Sequence, residues 1–191
     1  MTPPAPAGKT TTAVESTRYL LEHLQRILAV DRRPEIAESV EILTSAKKLF
    51  VYGVGRSGLA ARAFAMRMVQ LGIDCYFIGE TITPVVSPGD AVLIVSNTGS
   101  TMSAIQVANI ARRVGAKVIS VTGQKTSKLA HASNAVLLIQ TNSDGQQPRL
   151  APLGTLFENA TVLLLDAIVA QVMERLGQTE ADMHGRHAIM V

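Results

Sequence analysis

The sequence has little of several residue types, and each shortage excludes a class of protein. It contains one cysteine and no tryptophan in 191 residues, and aromatic residues make up only 4%. The single Cys75 excludes an intramolecular disulfide and a multi-cysteine zinc site. Few aromatics, and scattered basic residues with a net charge of only +3, are not typical of a nucleic-acid-binding surface. We therefore predict no nucleic-acid partner.

Charged residues are scarce too, at 17% against about 25% in an average soluble protein. Because hydrophobic residues make up 47%, we expect apolar surface to be covered in a homo-oligomer. Residues 1–12 are rich in Pro, Thr and Ala, are predicted to be disordered, and show no signal-peptide pattern. No apolar run approaches the ~20 residues of a membrane span without interruption. These observations predict a cytoplasmic protein without membrane contact.

Strands and helices alternate along the chain. Apolar runs predict five strands, at Leu49–Tyr52, Cys75–Ile78, Ala91–Val95, Lys117–Val121 and Ala135–Ile139. Continuous apolar runs are typical of a parallel sheet with helices on both faces, and repeated β–turn–α units predict a doubly wound sheet. We predict a three-layer α/β fold of flavodoxin-like strand order 2-1-3-4-5. Two N-terminal helices precede the sheet and a long C-terminal helix, Leu156–Leu176, follows it, so that residues 13–191 form one domain.

A glycine-rich turn, Gly53-Val54-Gly55-Arg56-Ser57-Gly58, follows the first strand and opens a helix. Glycines allow a ligand to approach the backbone, and a helix N-terminus favours an anion. The turn matches the G-x-G-x-x-G dinucleotide fingerprint, and Glu80 ends the second strand where a ribose-binding carboxylate would stand. An NAD(P)-dependent oxidoreductase is therefore an alternative. The polar residues Arg56 and Ser57 inside the turn, and a second anion-binding turn further on, count against it.

That second turn, Ser96-Asn97-Thr98-Gly99-Ser100-Thr101, follows the third strand and also opens a helix. Five of its six side chains carry a hydroxyl or an amide, which suits a phosphate monoester that accepts several hydrogen bonds. Helix capping explains one such residue but not a run of five. In the order 2-1-3-4-5 the two turns meet at the topological switch point, where ligands bind. The predicted substrate- and phosphate-binding residues are Gly55, Arg56, Ser57, Ser96, Asn97, Thr98, Ser100 and Thr101.

Glu158 lies near the start of the long C-terminal helix and shares a face with Thr161 and Leu165. A carboxylate on the apolar side of a helix is suited to proton transfer near neutral pH. The alternative is a capping box, Thr155-x-x-Glu158, in which the carboxylate caps the helix start. The residues alone leave both possibilities open. His, Asp and Glu show no metal-ligand spacing, so neither a metal nor another cofactor is predicted.

Taken together, these motifs resemble the SIS (sugar isomerase) domain family. The resemblance rests on the two turns, on Gly79-Glu80-Thr81 and on Pro88-Gly89-Asp90. The segment Ala151-Pro152-Leu153-Gly154-Thr155-Leu156-Phe157-Glu158, and the tail from Thr179 to Ala188, are similar to the stand-alone 6-phospho-3-hexuloisomerases of that family. The similarity covers the chain after the first dozen residues.

The resemblance implies interconversion of D-arabino-3-hexulose 6-phosphate and D-fructose 6-phosphate, the second step of formaldehyde fixation by the ribulose monophosphate pathway. It implies a homotetramer in which neighbouring subunits complete each active site, with Glu158 and His187 as catalytic residues. Two departures exist. Asn97, Thr98 and Ser100 replace a Gly, a Ser and a Glu of the usual second turn. The tail ends in Ala-Ile-Met-Val where the family ends in an acidic residue.

Two further alternatives use the same fold. A non-catalytic sugar-phosphate sensor would keep the hydroxyl-rich turn but would need no carboxylate opposite it. Another SIS isomerase would act on a sugar phosphate of different chain length, such as arabinose 5-phosphate. The preference for a hexulose phosphate rests on the 151–158 segment and on the tail.

Overall fold

The computed structural model describes residues 11–188. The predicted disorder of residues 1–12 therefore falls, apart from its last two residues, outside the described part of the chain, as do residues 189–191. The division into a disordered start and one domain over residues 13–191 stays a prediction.

Five parallel strands form the sheet, and their order is β2-β1-β3-β4-β5, which confirms the prediction. The strands are β1 (Leu49–Gly53), β2 (Cys75–Phe77), β3 (Ala91–Val95), β4 (Lys117–Thr122) and β5 (Ala135–Leu138). Every residue of β3 is buried, because it lies at the centre of the sheet with helices on both faces. β1 and β3 are neighbours although a helix and β2 separate them in sequence.

Helices cover both faces of the sheet and create the predicted three layers. They are α1 (Thr12–Leu28), α2 (Arg33–Ser45), α3 (Arg56–Gln70), α4 (Met102–Arg113), α5 (Lys128–His131), α6 (Gln147–Leu150), α7 (Thr155–Arg175) and α8 (Glu180–Gly185). Alternate strand residues face opposite cores. Leu49 and Leu93 pack with α1, α2, α3 and α7, whereas Phe50 and Val92 pack with α4 and α5.

Two short helices, α6 and α8, lie before and after α7 in the chain and were not predicted from the sequence. α8 begins with a capping box in which the Thr179 side chain accepts a hydrogen bond from Asp182 N and the Asp182 carboxylate accepts one from Thr179 N. Before α6, the Asp144 carboxylate accepts hydrogen bonds from the backbone N–H groups of Gln146 and Gln147. Polar side chains therefore order both segments through local hydrogen bonds.

α7 is the one helix in the described part of the chain that is long and apolar enough to cross a membrane. Its mean hydropathy reaches 1.5 over 18 residues, although Glu158 and Asp166 interrupt its apolar sequence. Half of that window is buried inside the fold, as in the core helix of a globular domain, and such a helix passes the same test of length and composition.

Candidate active site

The glycine-rich turn and the hydroxyl-rich turn meet at the carboxyl edge of the sheet. They do so because β1 and β3 are adjacent, with Gly53 opposite Val95 in the register. A cavity of about 150 Å³ lies between them, lined by Val54, Ser57, Val95, Ser96, Asn97, Thr98, Thr101 and Ala104. We call this cavity the hydroxyl cup. Five of its eight lining residues carry a hydroxyl or an amide, and its small volume suits a compact group with several hydrogen-bond acceptors, such as a phosphate.

Glycines bring the start of α3 against the end of β1. A Cβ at Gly58 would lie 2.5 Å from the Gly53 carbonyl oxygen, so only glycine permits this approach. Gly55, the N-cap of α3, has a φ of 59°, which favours glycine as well. The motif thus serves close helix–strand packing, a requirement that a dinucleotide site and a phosphate site share.

The hydroxyls of the second turn bond with one another and do not cap α4. Ser96 Oγ lies 3.2 Å from Thr101 Oγ1, and Ser100 Oγ donates to Thr98 Oγ1 at 2.9 Å. Thr101 and Gly55 are the N-cap residues of α4 and α3, and neither supplies a side-chain cap to a described residue. Two helix N-termini beside the hydroxyl cup therefore retain backbone N–H groups that favour an anion.

Residues at the end of β4 hold the hydroxyl-rich turn by hydrogen bonds to its backbone. The Asn97 carbonyl oxygen accepts hydrogen bonds from Gly123 N at 2.9 Å and from Thr122 Oγ1 at 3.2 Å. Gly99 packs so closely on Ser127 that a Cβ would lie 2.1 Å from its Oγ. The sequence analysis missed Thr122 and Ser127, although the predicted order already placed the end of β4 next to β3.

Glu158 lies on the other side of the first turn of α3, where its carboxylate pairs with the Arg56 guanidinium. The side chain of Glu158 is 16% exposed and that of Arg56 is 63% exposed. A second cavity of about 250 Å³ adjoins the pair and is lined by Arg56, Leu59, Ala60, Ala63, Glu158, Asn159 and Val162. Since Arg56 and Ser57 are consecutive, this cavity and the hydroxyl cup flank the same helix start.

The capping box at the start of α7 is not formed. Thr155 Oγ1 donates to the Pro152 carbonyl oxygen at 2.6 Å, and the N-cap is Gly154. The Glu158 carboxylate is hydrogen-bonded to Arg56 instead. The structure therefore contradicts the alternative in which Glu158 serves as a helix cap.

The remaining predicted site residues lie outside the two cavities. Gly55 borders open space at the apex of the first turn, and Ser100 contacts the hydroxyl cup only through its bond to Thr98. His187 lies elsewhere in the chain, in a cavity of about 410 Å³ between α3, α7 and α8 that also contains His184 and Asp166. One chain by itself does not bring His187 to Glu158.

Other reactive groups near the sheet are occupied or buried. Glu80 pairs with Arg62 at 2.5 Å, and the Arg62 guanidinium covers the Phe77 ring, so the carboxylate proposed for a ribose already has a partner. Burial raises the pKa of the Cys75 thiol to about 12, which keeps it protonated and a poor nucleophile near neutral pH. Between residues 11 and 188, no group of three His, Cys, Asp or Glu side chains is placed to hold a metal ion.

Comparison with a family model, with named relatives and with a solved structure gives concordant results. The SIS domain model matches residues 42–167. The 3-hexulose-6-phosphate isomerase of Bacillus subtilis is 30% identical over 182 residues, 92% of this chain and 98% of the relative. The enzyme of that name from Methanocaldococcus jannaschii is 33% identical over 148 residues, 78% and 79% of the two chains. The crystal structure of MJ1247 from Methanococcus jannaschii, described as inferring a function of 3-hexulose-6-phosphate isomerase, superposes with a TM-score of 0.80 at 27% identity, over 93% of this chain and 98% of that one.

Proposed function

The chain belongs to the SIS domain family of sugar-phosphate isomerases, and we propose that it interconverts D-arabino-3-hexulose 6-phosphate and D-fructose 6-phosphate. One observation carries the proposal: the first turn of α3 separates a hydroxyl-lined cup from a largely buried carboxylate. Ser57 lines the cup and its neighbour Arg56 pairs with Glu158. A substrate with a phosphate at one end and a reacting carbon chain at the other needs such a pair of sites.

The proposed substrate chemistry requires few catalytic groups. With phosphate on O6, a 3-keto-hexose cannot close the five-membered ring through C3, so it is already open-chain and no ring-opening acid is required. One base can then remove the proton from C2 and return it to C3 through a cis-enediol. Glu158 is the proposed base, and Arg56 is the proposed donor that stabilises the enediolate oxygens. Phosphate bound in the hydroxyl cup would orient the carbon chain against the carboxylate.

The Arg56–Glu158 pair has a consequence for this chemistry. Arg56 fixes the Glu158 side chain by holding one of its carboxylate oxygens. It does not transfer a proton to the carboxylate, because a guanidinium remains protonated at any working pH. The other oxygen, Oε1, remains the candidate to accept a substrate proton. Charge on the developing enediolate would then lie beside the same guanidinium.

A non-catalytic sugar-phosphate sensor remains the alternative of a different class. It would use the same cup, yet it would gain nothing from a carboxylate held in place by an arginine. An SIS isomerase for another chain length differs in substrate only. The relatives named 3-hexulose-6-phosphate isomerase cover 78% and 92% of this chain, which favours the hexulose phosphate.

We further propose that the chain is a homo-oligomer, a tetramer by family resemblance, acting in the cytoplasm in the ribulose monophosphate pathway of formaldehyde fixation. α7 is apolar on most faces but only half buried, and Leu163 on its outer side is 46% exposed. Leu59 and Met66 are exposed on α3, which packs against α7. A second copy on this α3–α7 face is the proposed cover, because it would also bring another His187 towards Glu158.

The test is a coupled assay with 3-hexulose 6-phosphate, run with and without a chelator. The proposal predicts conversion to fructose 6-phosphate at equal rates in both. Thermal-shift titrations separate the alternatives: stabilisation by fructose 6-phosphate without isomerisation would indicate a sensor. Stabilisation by NAD(P)H and not by the sugar phosphate would indicate an oxidoreductase.

A further inference from the structure

The turn before α7 has its glycine at an unexpected position. Leu153 has a φ of 56°, a left-handed conformation that favours glycine, yet it is a leucine and is 95% exposed. The next residue, Gly154, has a φ of −86° and a ψ of 10°, which any residue adopts at such a turn position. The backbone conformation at position 154 therefore does not require a glycine.

Space explains it. A Cβ at position 154 would lie 3.0 Å from Glu158 Oε1 and 3.3 Å from Glu158 Cδ, tighter than nine in ten real contacts of a Cβ, so that the carboxylate would have to move by a few tenths of an ångström. On its other side the same carboxylate is held by Arg56 through Oε2. The carboxylate thus occupies the space between a bare Cα and a guanidinium.

The turn itself has little freedom to relieve such a contact. Thr155 donates to the Pro152 carbonyl oxygen twice, from its Oγ1 at 2.6 Å and from its backbone N at 3.3 Å. Glu158 N in turn donates to the Gly154 carbonyl oxygen at 2.9 Å, the first hydrogen bond of α7. A side chain at 154 would therefore displace the carboxylate and not the backbone.

We propose that Gly154 is a positioning residue, whose missing side chain admits the Glu158 carboxylate to its place beside Arg56. The kinetic consequence rests on the function proposed above, whereas the geometric one does not. A base that must reach a C–H bond tolerates little displacement: about 1 Å of misplacement can cost on the order of 100-fold in rate, so a shift of a few tenths of an ångström should cost roughly 3- to 10-fold. Gly154 would thus affect the reaction at the substrate's carbon chain through Glu158, and it would not affect binding of the phosphate.

The test compares Gly154→Ala and Gly154→Ser with Gly145→Ala. All three add a Cβ, but that of residue 145 meets open space. Serine is a favourable N-cap, so a loss shared by both substitutions at 154 reports the added Cβ and not weaker capping. We expect kcat to fall by about 3- to 10-fold in both, KM for the sugar phosphate to change by less than about 2-fold, and Gly145→Ala to match the parent.

A double variant identifies the route of the effect. Gly154→Ala combined with Glu158→Gln should lose no more activity than Glu158→Gln alone, because the two changes act on the same carboxylate. Additive losses would overturn the proposal, and so would an unchanged kcat in Gly154→Ala.

A crystal structure of Gly154→Ala gives a measurement that does not depend on the reaction. The Glu158 carboxylate should move away from residue 154 and its bond to Arg56 should lengthen or break. A carboxylate in its original place would overturn the inference whatever the enzyme's substrate. If the parent protein fails to isomerise 3-hexulose 6-phosphate, the proposed function fails while this measurement still decides the role of Gly154.

Discussion

Ser96 is the most deeply buried hydroxyl of the hydroxyl cup. It is 5% exposed, directly follows β3, and its Oγ lies 3.2 Å from Thr101 Oγ1. A buried hydroxyl whose position is set by the central strand can donate to a ligand with little loss of conformational freedom. Thr98 and Ser100, by contrast, are exposed at the rim and bonded to each other.

Replacing Ser96 by Ala should therefore weaken binding more than it slows the reaction. A hydrogen bond to a charged group contributes roughly 1.5–3 kcal/mol, so the affinity for fructose 6-phosphate should fall by about 10-fold or more. The measurement is the concentration dependence of the thermal shift with that ligand. Ser45→Ala, which removes a hydroxyl bonded to the Glu41 carbonyl oxygen on α2, is the matched control. Equal affinities for the two variants would contradict a phosphate site at Ser96.

Single residues show where sequence-based prediction reaches its limit. The donor-rich character of the 96–101 turn is a local property and can be predicted from the sequence. The partner of Glu158 cannot, because Arg56 lies 102 positions away and meets it only when α3 packs on α7. The local capping pattern of Thr155 and Glu158 pointed to the wrong partner for the same reason.

At the scale of elements, one carboxylate ties α1 to the segment that leads into α6 and α7. Asp144 accepts from the Tyr19 hydroxyl at 2.9 Å and lies 3.3 Å from His23 Nε2. Burial, followed by the bond to Asp144, raises the pKa of Tyr19 to about 12. The phenol therefore remains a protonated donor up to pH values well above neutral.

Tyr19→Phe should destabilise the protein by about 1 kcal/mol at pH 7, a fall in Tm of about 2–4 °C. The backbone N–H of Gln146, first among several donors, holds the pKa of Asp144 below its usual value. A depressed carboxyl pKa stabilises the fold above the unfolded pKa of about 4, and this contribution is lost as the pH falls through the folded pKa.

The stability difference between Tyr19→Phe and the parent should accordingly be full at pH 7 and narrow below about pH 4, as followed by thermal unfolding. Tyr76→Phe is the control, since the Tyr76 phenol makes no hydrogen bond to residues 11–188 and its ring lies near Phe50. A pH-independent difference would contradict the role of Asp144.

The elements themselves were predictable to different degrees. Strands such as Ala91–Val95 are continuous apolar runs, and the structure places β3 at those residues. α8 was missed although Thr179 and Asp182 carry its capping box, because its residues are exposed and offer no apolar periodicity. α6 is a single turn ordered by Asp144, and its position depends on α1 as much as on local sequence.

At the scale of the whole molecule, the two proposed catalytic residues are separated within one chain. Glu158 lies at the start of α7, whereas His187 lines a cavity with Met173 near the end of α7. If both act in one site, the proposed second copy on the α3–α7 face must run antiparallel to the first. The scarcity of charge and the half-covered α7 both favour such an assembly.

Mixing two inactive variants tests this arrangement. In a dimer of one Glu158→Gln and one His187→Ala subunit, one of the two shared sites is intact. It combines Glu158 of the His187→Ala subunit with His187 of the Glu158→Gln subunit. Randomly re-assorted dimers should recover about a quarter of the parent activity, whereas each variant alone stays inactive. No recovery after mixing, with re-assortment verified by mass spectrometry, would contradict a shared site. An active His187→Ala variant would remove His187 from the proposal.

The most direct test of the central claim is deuterium exchange at C3 of fructose 6-phosphate in D₂O, followed by NMR. A cup that holds the phosphate while Glu158 removes the C3 proton predicts loss of the C3 proton signal with the parent protein. Glu158→Gln should exchange it slower by orders of magnitude while fructose 6-phosphate still raises its Tm. Equal exchange by both proteins, or exchange at C1 in place of C3, would contradict the account.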